Sequence, residues 1–258
     1  MIATWQQLGN FGNCMFEYAA TRIFAEKFNY EVRTDINFNG KDTPCEEFFT
    51  EFFNLEEKHN LPLASFQGIY DGQLGDILAL TAHEFSKSKY YCNNVRIEGY
   101  FQDPKIFTGK GVQRFFNLDE SKFYDVGDND LCLSLRLGSD YRSLGFVIDY
   151  GVFQDLLDNT TWDRLFIVTD EKDDCYLNNF NNYSPEIICH DGKNPIADFY
   201  ILSSFKNLII PNSTFSYWAA VLGKSTKIYA PADWKIDSEV AKLNKITDKE
   251  DNTILYEI

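Results

Sequence analysis

From residue 131 onward, short apolar runs alternate with helical segments, and few folds accommodate that rhythm. Leu131, Leu133, Leu135 and Leu137 alternate with Cys132, Ser134 and Arg136, the two-residue period of a strand. The spacing then predicts a helix over 150–157, the apolar strand Leu165-Phe166-Ile167-Val168, and a helix over 173–179. Strand Glu186-Ile187-Ile188-Cys189, a helix over 196–205, strand Leu208-Ile209-Ile210 and a helix over 214–222 follow. Strand Lys227-Ile228-Tyr229-Ala230 and a helix over 237–245 close the series. Five such strands interleaved with helices predict an α/β fold with a parallel sheet wrapped on both faces. Sheets of that kind hold ligands beyond the carboxyl ends of their strands.

The first half is less regular. A strand ending near Leu8 leads through Gly9-Asn10-Phe11-Gly12 into a helix over 13–28, with Asn13 as its N-cap. Met15, Ala19, Ile23 and Phe24 form that helix's apolar stripe. A strand over 30–34 follows, residues 41–94 show no firm period, and Val95 to Phe101 reads as another strand. The polar, acidic stretch 108–130 is the expected linker, dividing the chain into lobes 1–125 and 126–258. A length of 258 residues suits two lobes, since a typical domain has about 100–150.

Charge and cysteine usage exclude several classes. A net charge of −15, with no cluster of Lys and Arg, opposes a nucleic-acid partner. The six cysteines are scattered without a CxxC pair or ligand spacing, so no zinc site is expected. No basic stretch followed by an apolar one opens the chain, and no apolar run reaches the roughly 20 residues of a membrane span. The expected location is cytoplasmic, with reduced thiols. Three glycosylation sequons, at Asn159, Asn182 and Asn212, then read as chance matches in an Asn-rich chain. The 23 Phe and 15 Tyr serve either a core or a sugar site, and core filling is the simpler use.

Several residues sit where an α/β sheet places chemistry. Arg136 ends a Leu-rich strand, and a guanidinium there either pairs bidentately with a phosphate or reaches out to Asp140. Asn212, Ser213, Thr214 and Phe215 span the junction of a buried strand with a helix start. Free N–H groups and the helix dipole make such a junction an anion site, although the same residues also serve as ordinary N-caps. Gly12 and Asn13, in the first turn, offer N–H groups to a diphosphate, a weak signal alone. Asp170 follows a strand and either accepts from a nucleoside or caps a helix. Asp128-Asn129-Asp130 has the D-x-D form of a metal site but precedes its strand, at the wrong end for the ligand. The histidines His59, His83 and His190 are isolated in sequence.

In order along the chain, these segments resemble the α-1,2-fucosyltransferases of glycosyltransferase family eleven. Gly9-Asn10-Phe11-Gly12-Asn13-Cys14-Met15-Phe16-Glu17-Tyr18-Ala19 is similar to that family's G-G-L-G-N-Q-M-F-Q-Y-A. Gly99-Tyr100-Phe101-Gln102 resembles its G-Y-F-Q, and Thr169-Asp170 its Ser-Asp after a strand. Asp198-Phe199-Tyr200 and Asn212-Ser213-Thr214-Phe215-Ser216-Tyr217-Trp218 resemble its D-L-Y and N-S-S-F-S-W-W blocks. Ala230-Pro231 with Trp234 resembles its A-P-x-x-W. The family's donor motif H-x-R-R-G-D-Y is matched at Arg136, Gly138, Asp140 and Tyr141. Ser134 stands for His, Leu137 for the second Arg, and Ser139 is an added residue.

The resemblance implies a GT-B-like architecture, two Rossmann-like lobes with parallel sheets facing across a cleft. It implies metal-independent, inverting transfer of fucose from GDP-fucose to a hydroxyl of a glycan acceptor. Arg136 is then catalytic, stabilising the leaving diphosphate with N–H groups at Asn212, Ser213, Thr214 and Phe215 and at Gly12 and Asn13. Asp170 contacts the nucleoside, and Asp103 or Glu17 is a nominal choice for the general base. No cofactor beyond the donor substrate is expected. The departures at Ser134 and Leu137 leave two further readings: another nucleotide-sugar donor, or a non-catalytic relative that binds glycan or nucleotide.

Overall fold

The structure, a computed structural model, describes residues 1–5, 10–35, 51–53, 57–59, 61–62, 65–102, 104–107, 111–190, 194–231 and 253–256. These fall into two compact units, one within Met1–Asn117 and the other beginning at Leu118.

The first unit opens with strand β1 (Ile2–Trp5) and helix α1 (Phe11–Phe28). The N-cap is Asn10, not Asn13: Asn10 is extended, and its carbonyl accepts from Asn13 N and Cys14 N. Gly12 and Asn13 therefore lie inside the first helical turn, and Gly9 falls outside the described residues. The helix is buried on nearly every side, so its apolar stripe is wider than the four residues the spacing predicts. Asn29 ends it in the left-handed conformation (φ 59°), which its short polar side chain tolerates, and its N–H donates to Ala25 O. Strands β2 (Glu31–Asp35), β3 (Glu57–His59), β4 (Gln67–Tyr70) and β5 (Asn94–Glu98) complete a parallel sheet in the order β3-β2-β1-β5-β4. Helices α2 (Asp71–Ala79) and α3 (Ala82–Ser86) join β4 to β5, so much of the stretch 41–94 is regular. Short helix α4 (Pro104–Phe107) follows β5.

Aromatic side chains fill this unit. Tyr18 stacks on Phe53 at 4.4 Å between centroids, with Trp5 and Phe116 edge-on to the pair. Phe28 stacks on Phe85 at 4.1 Å, beside Phe24 and Tyr30. The aromatic excess is thus mainly core. The stretch read as a linker is anchored as well: Val112, Phe115 and Phe116 are buried. A 3-10 turn, Val112–Phe115, presents them.

The second unit carries strands β6 (Leu131–Leu135), β7 (Leu165–Thr169), β8 (Glu186–Cys189), β9 (Asn207–Ile209), β10 (Lys227–Pro231) and β11 (Thr253–Tyr256). All pairs are parallel, in the order β11-β10-β9-β6-β7-β8. Read from the unit's own first strand this is the 3-2-1-4-5-6 order of dinucleotide-binding sheets, reversing between β6 and β9. Helices α5 (Ser139–Ser143), α6 (Tyr150–Asp158), α7 (Pro195–Ser204) and α8 (Thr214–Leu222), with the 3-10 helix Cys175–Tyr183, make the crossovers. Every residue of β6 and β7 is buried, as strands covered on both faces require, although the alternation in β6 reads as a half-exposed strand. Leu131, Leu133, Leu135, Ile167, Ile209, Phe153 and Phe180 share the core on one face. The helix expected over 237–245 lies outside the described residues, and β11 is a strand the sequence reading did not include. No helix among the described residues is long and apolar enough to cross a membrane.

Candidate functional site

At the carboxyl end of β6 the chain leaves the core and turns into α5. Arg136 is the first residue past the strand. Its Nη2 lies 3.1 Å from Asp140 Oδ2 and its Nε 3.3 Å from Asp170 Oδ2, and its guanidinium covers the Tyr141 ring at 4.8 Å from the centroid. Both uses read from the sequence bear on one side chain: the cation stands at the sheet edge, and a carboxylate one turn away already holds it. Asp170 sits just past β7. Its carboxylate accepts from Leu137 N at 2.7 Å and Gly138 N at 3.3 Å, the two N–H groups that the end of β6 leaves without ladder partners. Gly138 suits this packing: a Cβ there would stand 2.8 Å from Asp140 Oδ1 and 2.9 Å from Asp170 Oδ2, so a side chain would displace both carboxylates.

On the other side of the strand-order reversal, β9 runs into α8 through Asn212 and Ser213. Ser213 is the N-cap, its hydroxyl accepting from Ser216 N. Tyr141 ties the two sides together by donating to Asn212 O at 2.9 Å. Burial pushes the Tyr141 phenol up, so it remains a donor at neutral pH. Ser134 and Ser216 form a second tie beneath it, at 2.8 Å. The Asn212 side chain is 1% exposed, and neither its amide nitrogen nor its oxygen has a hydrogen-bond partner. A buried amide left open in this way points to a ligand or a solvent molecule at the site.

Arg136, Asp170, Asn212, Ser213, Thr214 and Phe215 thus come to one edge of the second sheet. Gly12 and Asn13 belong to the first unit, where Asn13 Oδ1 accepts from Gln102 Nε2 at 3.2 Å, past the end of β5. Of the nominal bases, Glu17 is buried in α1 and Asp103 lies outside the described residues. Asp130, from the D-x-D sequence, is buried and paired with Arg164 at 2.5 Å, and it also accepts from Gly127 N. Among the described residues no group of three His, Cys, Asp or Glu side chains is placed to share a metal.

One pair escaped the sequence reading. His190, just past β8, meets Asp198 of α7 with Nδ1 and Oδ1 2.5 Å apart. Burial pushes the Asp198 carboxyl up against the pull of His190, and the charge of Asp170 adds to the rise. His190 is isolated in sequence, but a position just beyond a strand's carboxyl end was the available signal.

A parallel sheet of this order, with cationic and amide groups at its reversal, has the architecture of the doubly wound α/β folds. Residues 138–254 match the family model "Glycosyl transferase family 11", which makes the chain a glycosyltransferase by sequence. No curated protein matches the chain. The fold is similar to NodZ alpha-1,6-fucosyltransferase co-crystallized with GDP, at TM-score 0.56 and 13% identity over 88% of this chain and 93% of that one. A second structure, fucosyltransferase NodZ from Bradyrhizobium, gives TM-score 0.53 at 13% identity over 88% and 94%. POFUT1 in complex with GDP-fucose gives 0.52 at 12% identity over 87% and 95%. The chain therefore has the GT-B-like α/β fold of these enzymes, two units each built on a parallel sheet.

Proposed function

We propose that the protein transfers fucose from GDP-fucose to a hydroxyl of a glycan acceptor. The observation that carries this reading is the open amide of Asn212 at the reversal of the second sheet, inside the segment that matches family 11, with Arg136 just before that segment at the end of the neighbouring β6. A diphosphate leaving group gains charge as the bond to the sugar breaks, and a guanidinium held at the strand end stabilises it. N–H groups from Ser213 to Phe215 at the start of α8 add to that stabilisation. Residues 126–258 are the donor lobe and residues 1–125 the acceptor lobe. Asp170 acts in this reading by fixing the Leu137–Gly138 turn and Arg136, besides any contact with the nucleoside. The resemblance to the α-1,2-fucosyltransferases supports an inverting, metal-independent reaction, and the scattered cysteines, read as reduced thiols, support work in the cytoplasm.

A second reading keeps the reaction and changes the donor. Ser134 is engaged with Ser216, and Leu137 is buried, so neither supplies the polar groups that the resembling motif carries there. Calorimetric titration of the purified protein, without added metal, against GDP-fucose, GDP-mannose and UDP-galactose decides between them. Selective binding of GDP-fucose supports the first reading. Preference for either other donor replaces it with the second, and binding of none overturns both.

A further inference from the structure

Most aromatic rings of the first unit are buried, but Tyr70 and Tyr100 are 55% and 49% exposed. Tyr70 is the last residue of β4, the edge strand of its sheet, and Tyr100 lies two residues past the neighbouring β5. In the register of that pair Gly68 is opposite Arg96 and Tyr70 opposite Glu98. Residues two apart on a strand share a face, so these four side-chain positions line one face. A Cβ on Gly68 would stand 2.6 Å from Glu98 Oε1 and 3.3 Å from the Tyr70 hydroxyl oxygen. The Tyr70 hydroxyl therefore lies back along β4 beside Gly68, while more than half of the residue is open to solvent. Beside it, Arg96 Nη2 and Glu98 Oε1 form a largely buried ion pair at 2.7 Å, the arginine its more open member.

Tyr100 is presented by a strained loop. Gly99 has φ +134°, and Phe101, a bulky residue, has φ 49° with its ring fully buried. Such a backbone is costly for a bulky residue and persists only where the surroundings enforce it. Here the Phe101 N–H is held by Asp71 Oδ2 at 3.0 Å, and a Cβ on Gly99 would meet Asp71 Cβ at 2.7 Å. Asp71 directly follows Tyr70, so one carboxylate pins the loop on which Tyr100 stands next to the strand end that bears Tyr70.

An open aromatic face next to fixed donors and acceptors suits a pyranose ring. Its C–H face covers the tyrosine, and its hydroxyls donate to a carboxylate and accept from a guanidinium. Anionic ligands are opposed by Asp71 and by the net charge of −15. We propose that Tyr70, Tyr100 and the Arg96–Glu98 pair form a subsite for one sugar ring of a neutral saccharide acceptor. The identification of that saccharide as an acceptor rests on the proposed function; the binding site itself does not.

The test is saturation-transfer NMR and affinity measurement on the full chain. The neutral probes are N-acetyllactosamine and chitotriose, the anionic probe a heparin hexasaccharide, and GDP-fucose is titrated separately. A neutral probe is expected to bind, with Kd raised about fivefold or more by Tyr70→Ala and by Tyr100→Ala. Tyr70→Phe keeps the ring and is expected to stay within about twofold, as is GDP-fucose binding in every variant. Both tyrosines are half exposed, and thermal melts establish that each variant is folded. Absence of neutral-saccharide binding, unchanged affinity in both alanine variants, or binding of heparin alone overturns the subsite. Tyrosine-dependent saccharide binding by a protein that ignores GDP-fucose keeps the subsite and removes the donor reading, and the converse removes the subsite alone.

Discussion

The hydroxyls of Ser134 and Ser216 share a buried hydrogen bond of 2.8 Å that fastens β6 to α8 at the reversal of the second sheet. It takes up the polar group at a position where the resembling family carries a histidine. Ser134→Ala would leave the Ser216 hydroxyl buried without this partner, at a cost of about 1–2 kcal/mol. A drop in melting temperature with donor affinity preserved is the expected result. A donor affinity lost without a change in stability would instead assign Ser134 to the ligand.

Arg136 is the cation on which the donor reading depends. Arg136→Ala is expected to lower kcat/KM by about 30-fold or more, roughly 2 kcal/mol. Arg136→Lys should recover only part, because an ammonium lacks the planar fork that grips two phosphate oxygens. Steady-state kinetics with GDP-fucose check this, and turnover of the alanine variant within about threefold of wild type would refute the assignment.

Asp140 holds Arg136 from an exposed position, 53% exposed against 27% for the arginine, and so occupies the cation that a diphosphate needs. Freeing the guanidinium should tighten donor binding in Asp140→Asn by about three- to fivefold, the scale of one exposed ion pair. The gain should shrink as salt is raised, since the competing charge is screened. Weaker binding in calorimetry at low salt would show that Asp140 positions Arg136 and does not compete for it.

Asp130 supports stability in a pH-dependent way. Burial pushes its carboxyl up, but the bonds from Arg164 and Gly127 outweigh that and hold it below its ordinary value of 3.8. A carboxyl lowered in the folded state adds stability above its ordinary value and loses it as pH falls through the folded one. Asp130→Asn should thus be about 2 kcal/mol less stable at pH 7, with the gap to wild type closing below pH 3.8. Denaturant melts of both proteins across that range measure it.

How much could be read in advance depended on what kind of signal each element carried. Thr214–Leu222 and Leu165–Thr169 stand out because a buried helix and a central strand need long apolar runs, and those are local. The strand order, and hence the placing of Arg136 and Asn212 on the two sides of Tyr141, is a non-local fact that only the right-handed crossovers hint at. The N-cap of α1 lies three residues before the one the spacing predicts, since Asn10 and Asn13 are equally good caps and backbone geometry chooses Asn10. His190 and Asp198 lie eight residues apart, and no periodicity links a strand end to the first turn of the next helix. Tyr70 and Tyr100 look like two more aromatics in an aromatic-rich chain until Gly68 and Gly99 show how closely Glu98 and Asp71 approach the strand ends that carry them.

Strand β11 lies along the outer side of β10, with Ile228 to Pro231 facing Thr253 to Tyr256. It acts as a selvedge. Were it cut away, β10 would offer its N–H and C=O groups to any extended chain that drifted by, including β10 of another molecule. Loss of β11 would thus move the sheet's open edge inward onto the buried residues of β10, with the residues around Arg136 still intact.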